Sequence, residues 1–356
     1  MAQTPLNTTR LIFHAGIFIF LIGYMVHLEV PIHMAAIIFV TFIFYELFYL
    51  SYIIVNNLKQ KTRDFKITGK RILITGGSSG IGFELAKLFV KDGCSKLILV
   101  ARNEGRLKEK CSELRKEVVD ATMIQYLALD LSSDGEKISE KLKKLGTIDL
   151  LVNCAGFSMP GEFQNLPVTA FEEMMKANYL SSVHTTHALV PGMIEQRKGQ
   201  VVFLSSVAGQ LGVYGFTAYA ASKYALRGFA EVLYHELRPY NVGVTLAFPP
   251  DTNTPGYEKE NETKPKLCRM ISEQAGLWEA VDVAKALRDG IVNRKFMLGF
   301  GSDGYFMNAM TGNVCPANSL TDFWIHLLLT PFLKLYMLFL QNSWNNMIEN
   351  ETNDTE

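Results

Sequence analysis

The stretch "RILITGGSSGIG", residues 71–82, decides the fold. Apolar and β-branched residues lead directly into a glycine-rich turn, and the helix-like segment "FELAKLFVKDG" follows. Glycines in such a turn let backbone N–H groups and a helix N-terminus approach a pyrophosphate. The succession of strand, turn and helix therefore predicts a dinucleotide-binding unit.

The alternation of strand and helix continues to about Phe300. Short β-branched runs are separated by helix-length segments, which is typical of a parallel sheet with helices on both faces. The runs after the first are "KLILVAR", "IQYLALD", "IDLLVNCAG", "QVVFLSS", "VGVTLAFPP" and the shorter "FMLGFG". The pattern predicts an α/β catalytic domain over residues 68–300, built as a Rossmann-like, doubly wound parallel sheet.

Charge and cysteine content narrow the function classes. The 356 residues contain 35 Lys and Arg against 35 Asp and Glu, so the formal net charge is zero. A nucleic-acid binder normally carries an excess of basic residues, and we therefore expect no nucleic-acid partner. The five cysteines are scattered and form no C-x-x-C pair. This indicates reduced thiols and no metal site.

Two long apolar runs stand at the beginning of the chain, at residues 11–28 and 32–55. Each approaches or exceeds the roughly 20 residues that a membrane-spanning helix needs. Residues 1–60 are therefore predicted to be a membrane anchor of one or two transmembrane helices. Lys59, Lys61, Arg63 and Lys66 follow the second run, which places the catalytic domain on the cytosolic side. Glu46 is expected to face protein or an interface, with a functional membrane carboxylate as the alternative.

Residues 301–356 form a predicted C-terminal extension. The apolar segment "FWIHLLLTPFLKLYMLFL", residues 323–340, is interrupted by Pro331 and Lys334. The interruption favours a helix lying in the membrane interface over a further span. A buried core helix and a partner-binding helix are the alternatives.

The end of the second strand indicates which dinucleotide binds. The stretch "LVARN" has no acidic residue to bind the ribose 2′-hydroxyl of NAD, and Arg102 stands beside that position. A guanidinium there suits the 2′-phosphate of NADP, as a charge and as a forked donor. We therefore expect NADPH/NADP; an ordinary surface arginine is the alternative.

The stretch "TAYAASKYALRGFAE", residues 217–231, places Tyr219 and Lys223 four residues apart on a predicted helix. Side chains at this spacing lie on one face. A nearby ammonium favours phenolate, so the pKa of Tyr219 is predicted to be lowered towards working pH. Such a phenol can give up and take back a proton. The alternative is an amphipathic helix with a solvated lysine.

Taken together, these motifs resemble the short-chain dehydrogenase/reductase family. Its T-G-x-x-x-G-x-G occurs at 75–82, its N-N-A-G at 153–156 with Cys154 for the second asparagine, and its Y-x-x-x-K at Tyr219 and Lys223. The resemblance implies a catalytic set of Asn178, Ser206, Tyr219 and Lys223. It also implies cofactor contacts from Gly76, Ser78, Ser79, Gly80, Ile81, Gly82, Arg102, Asp130, Leu131, Asn153, Ala155, Gly156, Tyr219, Lys223, Pro249, Thr252 and Thr254.

The resemblance also implies what each catalytic residue does. Tyr219 would protonate a carbonyl oxygen while NADPH delivers hydride to its carbon, and Ser206 would hydrogen-bond that oxygen. Lys223 would hold the nicotinamide ribose and lower the pKa of Tyr219. Asn178 would hold a water that links the lysine to solvent.

Three stretches resemble the members that reduce the 3-keto group of a long-chain sphingoid base: residues 208–228, 249–265 and 298–305. This implies a lipid ketone substrate, a place in sphingolipid metabolism and the endoplasmic reticulum membrane. Pro249-Pro250 replaces the Pro-Gly of many relatives, and residues 254–273 suit a flexible lid or a solvated insertion. Family members also imply a possible homo-oligomer. The alternatives are a steroid, retinoid or 3-ketoacyl-thioester enzyme, and a non-catalytic NADP-binding membrane scaffold.

Overall fold

The computed structural model describes residues 31–59, 64–117, 123–274, 276–312, 315–316 and 318–353. The chain divides into two compact units between Gln60 and Lys61. The first apolar run, at 11–28, lies outside the described residues. The second run forms helix α1, Ile32–Lys59. This helix exposes large apolar side chains such as Ile37, Phe44 and Phe48, and its continuous apolar part, Ala36–Tyr52, is shorter than a usual span.

The second unit is built on a seven-stranded parallel sheet, whose order is β3-β2-β1-β4-β5-β6-β9. The seven predicted strands are all present. Their bounds are β1 Arg71–Thr75, β2 Lys96–Ala101, β3 Met123–Ala128, β4 Leu150–Asn153, β5 Gly199–Leu204, β6 Val242–Phe248 and β9 Met297–Gly299. Two further strands of two residues each, β7 Thr252–Asn253 and β8 Trp278–Glu279, pair with one another and were not predicted.

Helices cover both faces of this sheet. Their bounds are α2 Gly80–Lys91, α3 Glu104–Glu117, α4 Gly135–Lys143, α5 Val168–Met174, α6 Ser181–Gln196, α7 Thr217–Leu237, α8 Pro255–Thr263, α9 Lys266–Glu273, α10 Ala280–Val292, α11 Gly301–Thr311 and α12 Leu320–Asn353. One apolar cluster joins β1 and β2 to α2 and α10, and includes Phe89 and Ile291. A second cluster fills the other face and includes Met193 and Phe203. The predicted α/β fold, doubly wound about a parallel sheet, is confirmed.

The strand order reverses between β1 and β4, and this reversal positions the site. Thr75, the last residue of β1, lies opposite Val100 on one side and Asn153 on the other. Loops that leave these adjacent strands diverge to opposite faces, which opens a crevice at their carboxyl ends. The glycine-rich turn, Arg102 and the loop after Asn153 therefore meet at one edge of the sheet.

Residues 254–273, which the sequence suggested as a flexible lid or a solvated insertion, are largely helical, and a role as a lid remains a prediction. They fold into α8 and α9, with Thr254 capping α8 by accepting a hydrogen bond from the Tyr257 N–H. Helix α9 buries Leu267, Cys268 and Ile271. An apolar anchor of this kind fixes the segment against the domain.

The apolar C-terminal segment forms one continuous helix, α12, which contains Pro331 instead of ending there. By length and composition, residues 320–351 are the single candidate membrane span among the described helices. Phe332, Leu335 and Phe339 are 70%, 66% and 71% exposed. Helix α12 belongs to the same compact unit as the sheet, and it contacts α11 and α9.

Candidate active site

The glycine-rich turn after β1 is shaped by close backbone contacts. Gly76 has φ +67°, and a Cβ there would lie 2.9 Å from the Cys154 carbonyl oxygen. A Cβ on Gly82 would lie 2.7 Å from the Gly76 carbonyl oxygen. Side chains at these two positions would separate the turn from the neighbouring loop and from α2. The packing explains why glycine occupies both positions.

Thr75 ties the turn to the loop after β4. Its hydroxyl accepts hydrogen bonds from the Cys154 N–H at 3.0 Å and the Ala155 N–H at 3.1 Å. Helix α2 then begins after Ser79, whose side chain makes no capping hydrogen bond. The first turn of α2 faces the cavity described below, and its backbone N–H groups are suited to an anion there.

Two arginines stand at the end of β2. Arg102 follows the strand, and Arg106 lies one helical turn later, in the first turn of α3. Both side chains are exposed and both border the cavity. Asp130, after β3, accepts a hydrogen bond from the Ser132 N–H and borders the same cavity. Arg102 therefore borders the cavity together with a second arginine, Arg106.

Tyr219 and Ser206 approach each other at the carboxyl ends of β5 and β6. Tyr219 lies in the first turn of α7, and Ser206 caps a short 3₁₀ turn by accepting from the Ala208 N–H at 3.2 Å. Burial raises the pKa of Tyr219 above its ordinary value; the charges of Glu260 and Asp251 also raise it, and a hydrogen bond from Ser206 opposes them. The predicted lowering of this pKa by Lys223 is therefore wrong.

The physical reason lies in the position of Lys223. Its Nζ is 5.5 Å from the centre of the Tyr219 ring and donates a hydrogen bond to the Leu204 carbonyl at 2.9 Å. The two side chains share one helical face, as predicted, but desolvation and the nearby carboxylates Glu260 and Asp251 raise the pKa of the phenol. Burial also lowers the pKa of Lys223, to about 8.

Asn178 lies in a π-helical turn, Met175–Leu180, between α5 and α6. Its amide donates to the Phe157 carbonyl at 3.0 Å and the Ser222 hydroxyl at 2.9 Å, and its carbonyl oxygen accepts from the Phe157 N–H at 2.9 Å. The side chain thus joins the loop after β4 to α7. Its predicted contact with a water remains a prediction.

One cavity of about 840 Å³ connects these groups. Ser206, Tyr219 and Lys223 line it. So do most of the predicted cofactor contacts: Gly76, Ser78, Ser79, Gly80, Ile81, Arg102, Asp130, Leu131, Ala155, Gly156, Pro249, Thr252 and Thr254. Gly82, Asn153 and Asn178 lie behind this lining; Asn153, for example, is buried and donates a hydrogen bond to Thr186 at 3.2 Å.

The same cavity extends between α8, α11 and α12. Leu333, Met337, Leu340 and Trp344 project from α12 at helical spacing and line it. Phe306, Met307 and Met310 of α11 complete this apolar end. The cavity therefore joins a polar end at the sheet to an apolar end at the C-terminal helices.

Sequence reasoning missed several of the lining residues. Arg106 could have been found from its position in the first turn of α3, four residues after Arg102. Asp251 and Glu260 carry no motif, and the stripe on α12 is concealed because the apolar part of the helix, residues 323–340, has no distinct polar face. These residues are brought to the cavity by contacts that are distant in sequence.

Comparison with known proteins identifies the family. A family model described as short chain dehydrogenase matches residues 70–265. The chain belongs to the short-chain dehydrogenase family. The chain is an oxidoreductase of that family. The matched residues begin just before β1 and end just after α8, and they include the motifs that predicted the family.

Curated short-chain dehydrogenase relatives are similar over most of their length. The chain is 41% identical over 287 residues to the 3-ketodihydrosphingosine reductase of Bos taurus, covering 79% of this chain and 86% of the relative. It is 39% identical over 291 residues to the 3-dehydrosphinganine reductase of Danio rerio, covering 80% and 87%.

A solved relative supports the fold and the cofactor. The short-chain dehydrogenase from Sphingobium yanoikuyae in complex with NADPH has a TM-score of 0.58 and 26% identity, and the match covers 64% of this chain and 87% of that one. The predicted NADPH/NADP cofactor is the one that this relative holds.

Proposed function

We propose that this short-chain dehydrogenase is an NADPH-dependent reductase of the 3-keto group of a long-chain sphingoid base, converting 3-ketodihydrosphingosine to dihydrosphingosine. The observation that carries the proposal is the single cavity that runs from Tyr219 to the apolar stripe on α12. A ketone at the polar end can extend a long alkyl chain along that stripe. The names of the curated relatives agree with this substrate.

Tyr219 serves as the proton donor in this proposal. Because its pKa is raised, the phenol is fully protonated at neutral pH, which is the state that a general acid needs. Ser206 lies beside the phenol and stabilises the oxygen as it gains charge. The reaction requires no phenolate in the resting enzyme, so the raised pKa is compatible with ketone reduction.

Lys223 and Asn178 support the proton donor. Lys223 borders the cavity and would hold the ribose of a bound cofactor, and its lowered pKa allows it to pass a proton near neutral pH. The side chain of Asn178 is engaged by Phe157 and Ser222. A relay water would therefore bind to the main chain of the π-helical turn.

The residues at the polar end fit a dinucleotide phosphate. Gly76 and the open first turn of α2 form a backbone cradle, and the close approach of Gly76 to the Cys154 carbonyl holds the turn in this shape. Arg102 and Arg106 supply two guanidinium groups for a 2′-phosphate. Bound NADPH supplies the hydride for the carbonyl carbon. Asp130 and Leu131 border the expected adenine position.

A membrane location accompanies the lipid substrate. The apolar part of helix α12, residues 323–340, has no distinct polar face and borders the cavity on one side. A bilayer lipid could therefore enter the cavity along α12. We further propose a cytosol-facing catalytic domain, from the basic residues after α1, and the endoplasmic reticulum membrane, from the resemblance to sphingoid-base reductases. Pairing through α7 is proposed from its exposed Tyr224 and Val232.

The test measures the reduction of four substrates by the purified protein in detergent. They are 3-ketodihydrosphingosine, a ketosteroid, a retinal and a 3-ketoacyl thioester. We expect turnover of the sphingoid ketone with NADPH and little with the others. Tyr219→Phe should retain NADPH binding, measured by cofactor fluorescence, and lose about 10²–10⁴-fold in kcat, the usual contribution of a general acid.

Three outcomes contradict the proposal in different ways. If the protein prefers a steroid, a retinoid or a thioester, the proposed substrate is wrong but the proposed reduction by NADPH stands. NADPH binding without turnover of any ketone indicates a scaffold. Full activity of Tyr219→Phe removes the phenol as the proton donor.

A further inference from the structure

A charged cluster at the cavity wall plays no part in the reaction described above. Asp251, after β6, and Glu260, on α8, both line the cavity. Lys264 lies behind them, with a side chain that has no solvent exposure. Its Nζ is 2.8 Å from Glu260 Oε1 and 3.6 Å from Asp251 Oδ2.

Lys264 is fixed in place from several sides. Its ammonium lies 5.6 Å from the centre of the Phe216 ring and 4.8 Å from that of Tyr257. It also donates a hydrogen bond to the Ser272 hydroxyl at 3.3 Å. That hydroxyl in turn donates to Asp251. The lysine therefore cannot move into the cavity without breaking these contacts.

The cluster holds two carboxylates and one ammonium, so its formal charge is one negative. Burial raises the pKa of Glu260, although the hydrogen bond and charge of Lys264 oppose that effect. Burial lowers the pKa of Lys264, but the hydrogen bond and charge of Glu260 raise it overall. The two carboxylates are partly exposed to the cavity, and a partly buried site with a negative formal charge is stabilised by a further cation.

The Phe216 ring lies between the cluster and the proton donor, 5.6 Å from Lys264 Nζ and 5.7 Å from the Tyr219 ring. After burial, the charge of Glu260 is the largest influence on the pKa of Tyr219, and Asp251 acts in the same direction. In 3-ketodihydrosphingosine the carbon next to the ketone carries an amino group, which is an ammonium when protonated. A ketone placed at Tyr219 therefore carries its cation within reach of these carboxylates.

We propose that Glu260 and Asp251, held by Lys264, form the subsite for the ammonium beside the ketone, and that this subsite selects amino ketones over neutral ketones. The inference rests on the proposed function and deepens it. The ammonium brings the cluster to neutrality and fixes which way the head of the substrate lies. The alkyl chain then extends towards α12.

A purely structural role is the competing explanation. The cluster connects α8 to the segment after β6 and to α9, so it could act as a clamp on that segment. Loss of a clamp would impair turnover of every ketone equally. Loss of an ammonium subsite would impair amino ketones selectively, which makes the two roles distinguishable.

The experiment compares 3-ketodihydrosphingosine with the 1-hydroxy-3-ketone of equal chain length that lacks the amino group. Initial rates of NADPH oxidation are measured for the wild type, Glu260→Gln and the control Glu258→Gln. Glu258 is exposed on the same helix and does not line the cavity. We expect Glu260→Gln to reduce the preference for the amino ketone by about ten-fold or more, chiefly through KM. Glu258→Gln should retain the preference of the wild type.

If Glu260→Gln does not fold, the same two ketones are compared with Asp251→Asn. Thermal unfolding is measured for each protein. An equal loss for both ketones in either folded variant overturns the subsite and indicates the clamp. A wild type that reduces both ketones equally well also overturns it, while the proposed function stands. A wild type that reduces the neutral ketone but not 3-ketodihydrosphingosine contradicts the proposed function itself.

Discussion

The two ends of the cavity are built by different means. At the cofactor end, short loops after β1, β2, β3 and β4 supply backbone groups, and their positions follow from the order of the sheet. At the substrate end, α8, α9, α11 and α12 supply side chains from the last third of the sequence. The cofactor end thus uses a framework common to the fold, whereas the substrate end uses side chains of the helices that follow β6.

The cofactor end can be tested through its two arginines. Replacing both Arg102 and Arg106 by Ala should lower the ratio of kcat/KM for NADPH to that for NADH by about 10–100-fold, because charge-assisted hydrogen bonds to the 2′-phosphate are lost. Initial rates with each cofactor give the ratio. Lys108→Ala is the control, since Lys108 lies on α3, is exposed, and pairs with Glu104.

Equal losses with NADPH and NADH would contradict this assignment. They would show that the arginines support the loop and do not recognise the phosphate. The single variants Arg102→Ala and Arg106→Ala would then show how much of the loss of activity each arginine causes.

The same contrast explains what the sequence could predict. The sheet, the glycine-rich turn, Arg102 and the pair Tyr219–Lys223 lie in local patterns, where strand, turn and helix periodicity fix the geometry. The pKa of Tyr219 was wrongly predicted to be lowered, because spacing on a helix indicates how far apart two side chains lie but not how deeply they are buried. Desolvation depends on the side chains that surround the phenol, and Glu260 reaches it from α8.

The substrate end was harder to predict for a related reason. The apolar part of helix α12, residues 323–340, has no distinct polar face, so its hydrophobic pattern does not mark the face that lines the cavity. Pro331 suggested an interruption, yet the helix continues through it. Asp251, Glu260 and Lys264 look like ordinary charged residues of a polar segment until tertiary contacts bring them together.

The substrate end can be tested on α12 with two neighbouring residues. Met337 is half-buried and lines the cavity, whereas Leu338 is 62% exposed and does not line it. Met337→Gln should lower kcat/KM for a long-chain ketone by about ten-fold relative to a short-chain ketone with the same head group, because an amide disrupts the apolar stripe. Initial rates for the two chain lengths provide the comparison.

Leu338→Gln is the matched control and should leave the chain-length ratio close to that of the wild type. A similar fall in both variants would contradict the lining role of Met337. The effect would then arise from contact between α12 and the surrounding lipid or detergent.

Lys223 lies where the two ends meet, and it has the smallest predicted effect. Burial lowers its pKa from 10.5 to about 8, so the folded state binds fewer protons than the unfolded state between these values. The destabilisation from burying the ammonium is therefore complete below pH 8 and disappears as pH rises towards 10.5. Lys223→Met should raise Tm by about a few degrees at pH 7 without added cofactor, and by less at pH 10.

Thermal unfolding of both proteins across this pH range measures the difference. A gain that does not change with pH would mean that the apolar methionine packs better and that the buried charge has little influence. A gain that shrinks through the window assigns the effect to the ammonium. Lys223, which lies where the two ends of the cavity meet, would then be held in the charged state at the expense of stability. A group that exchanges a proton near neutral pH requires this.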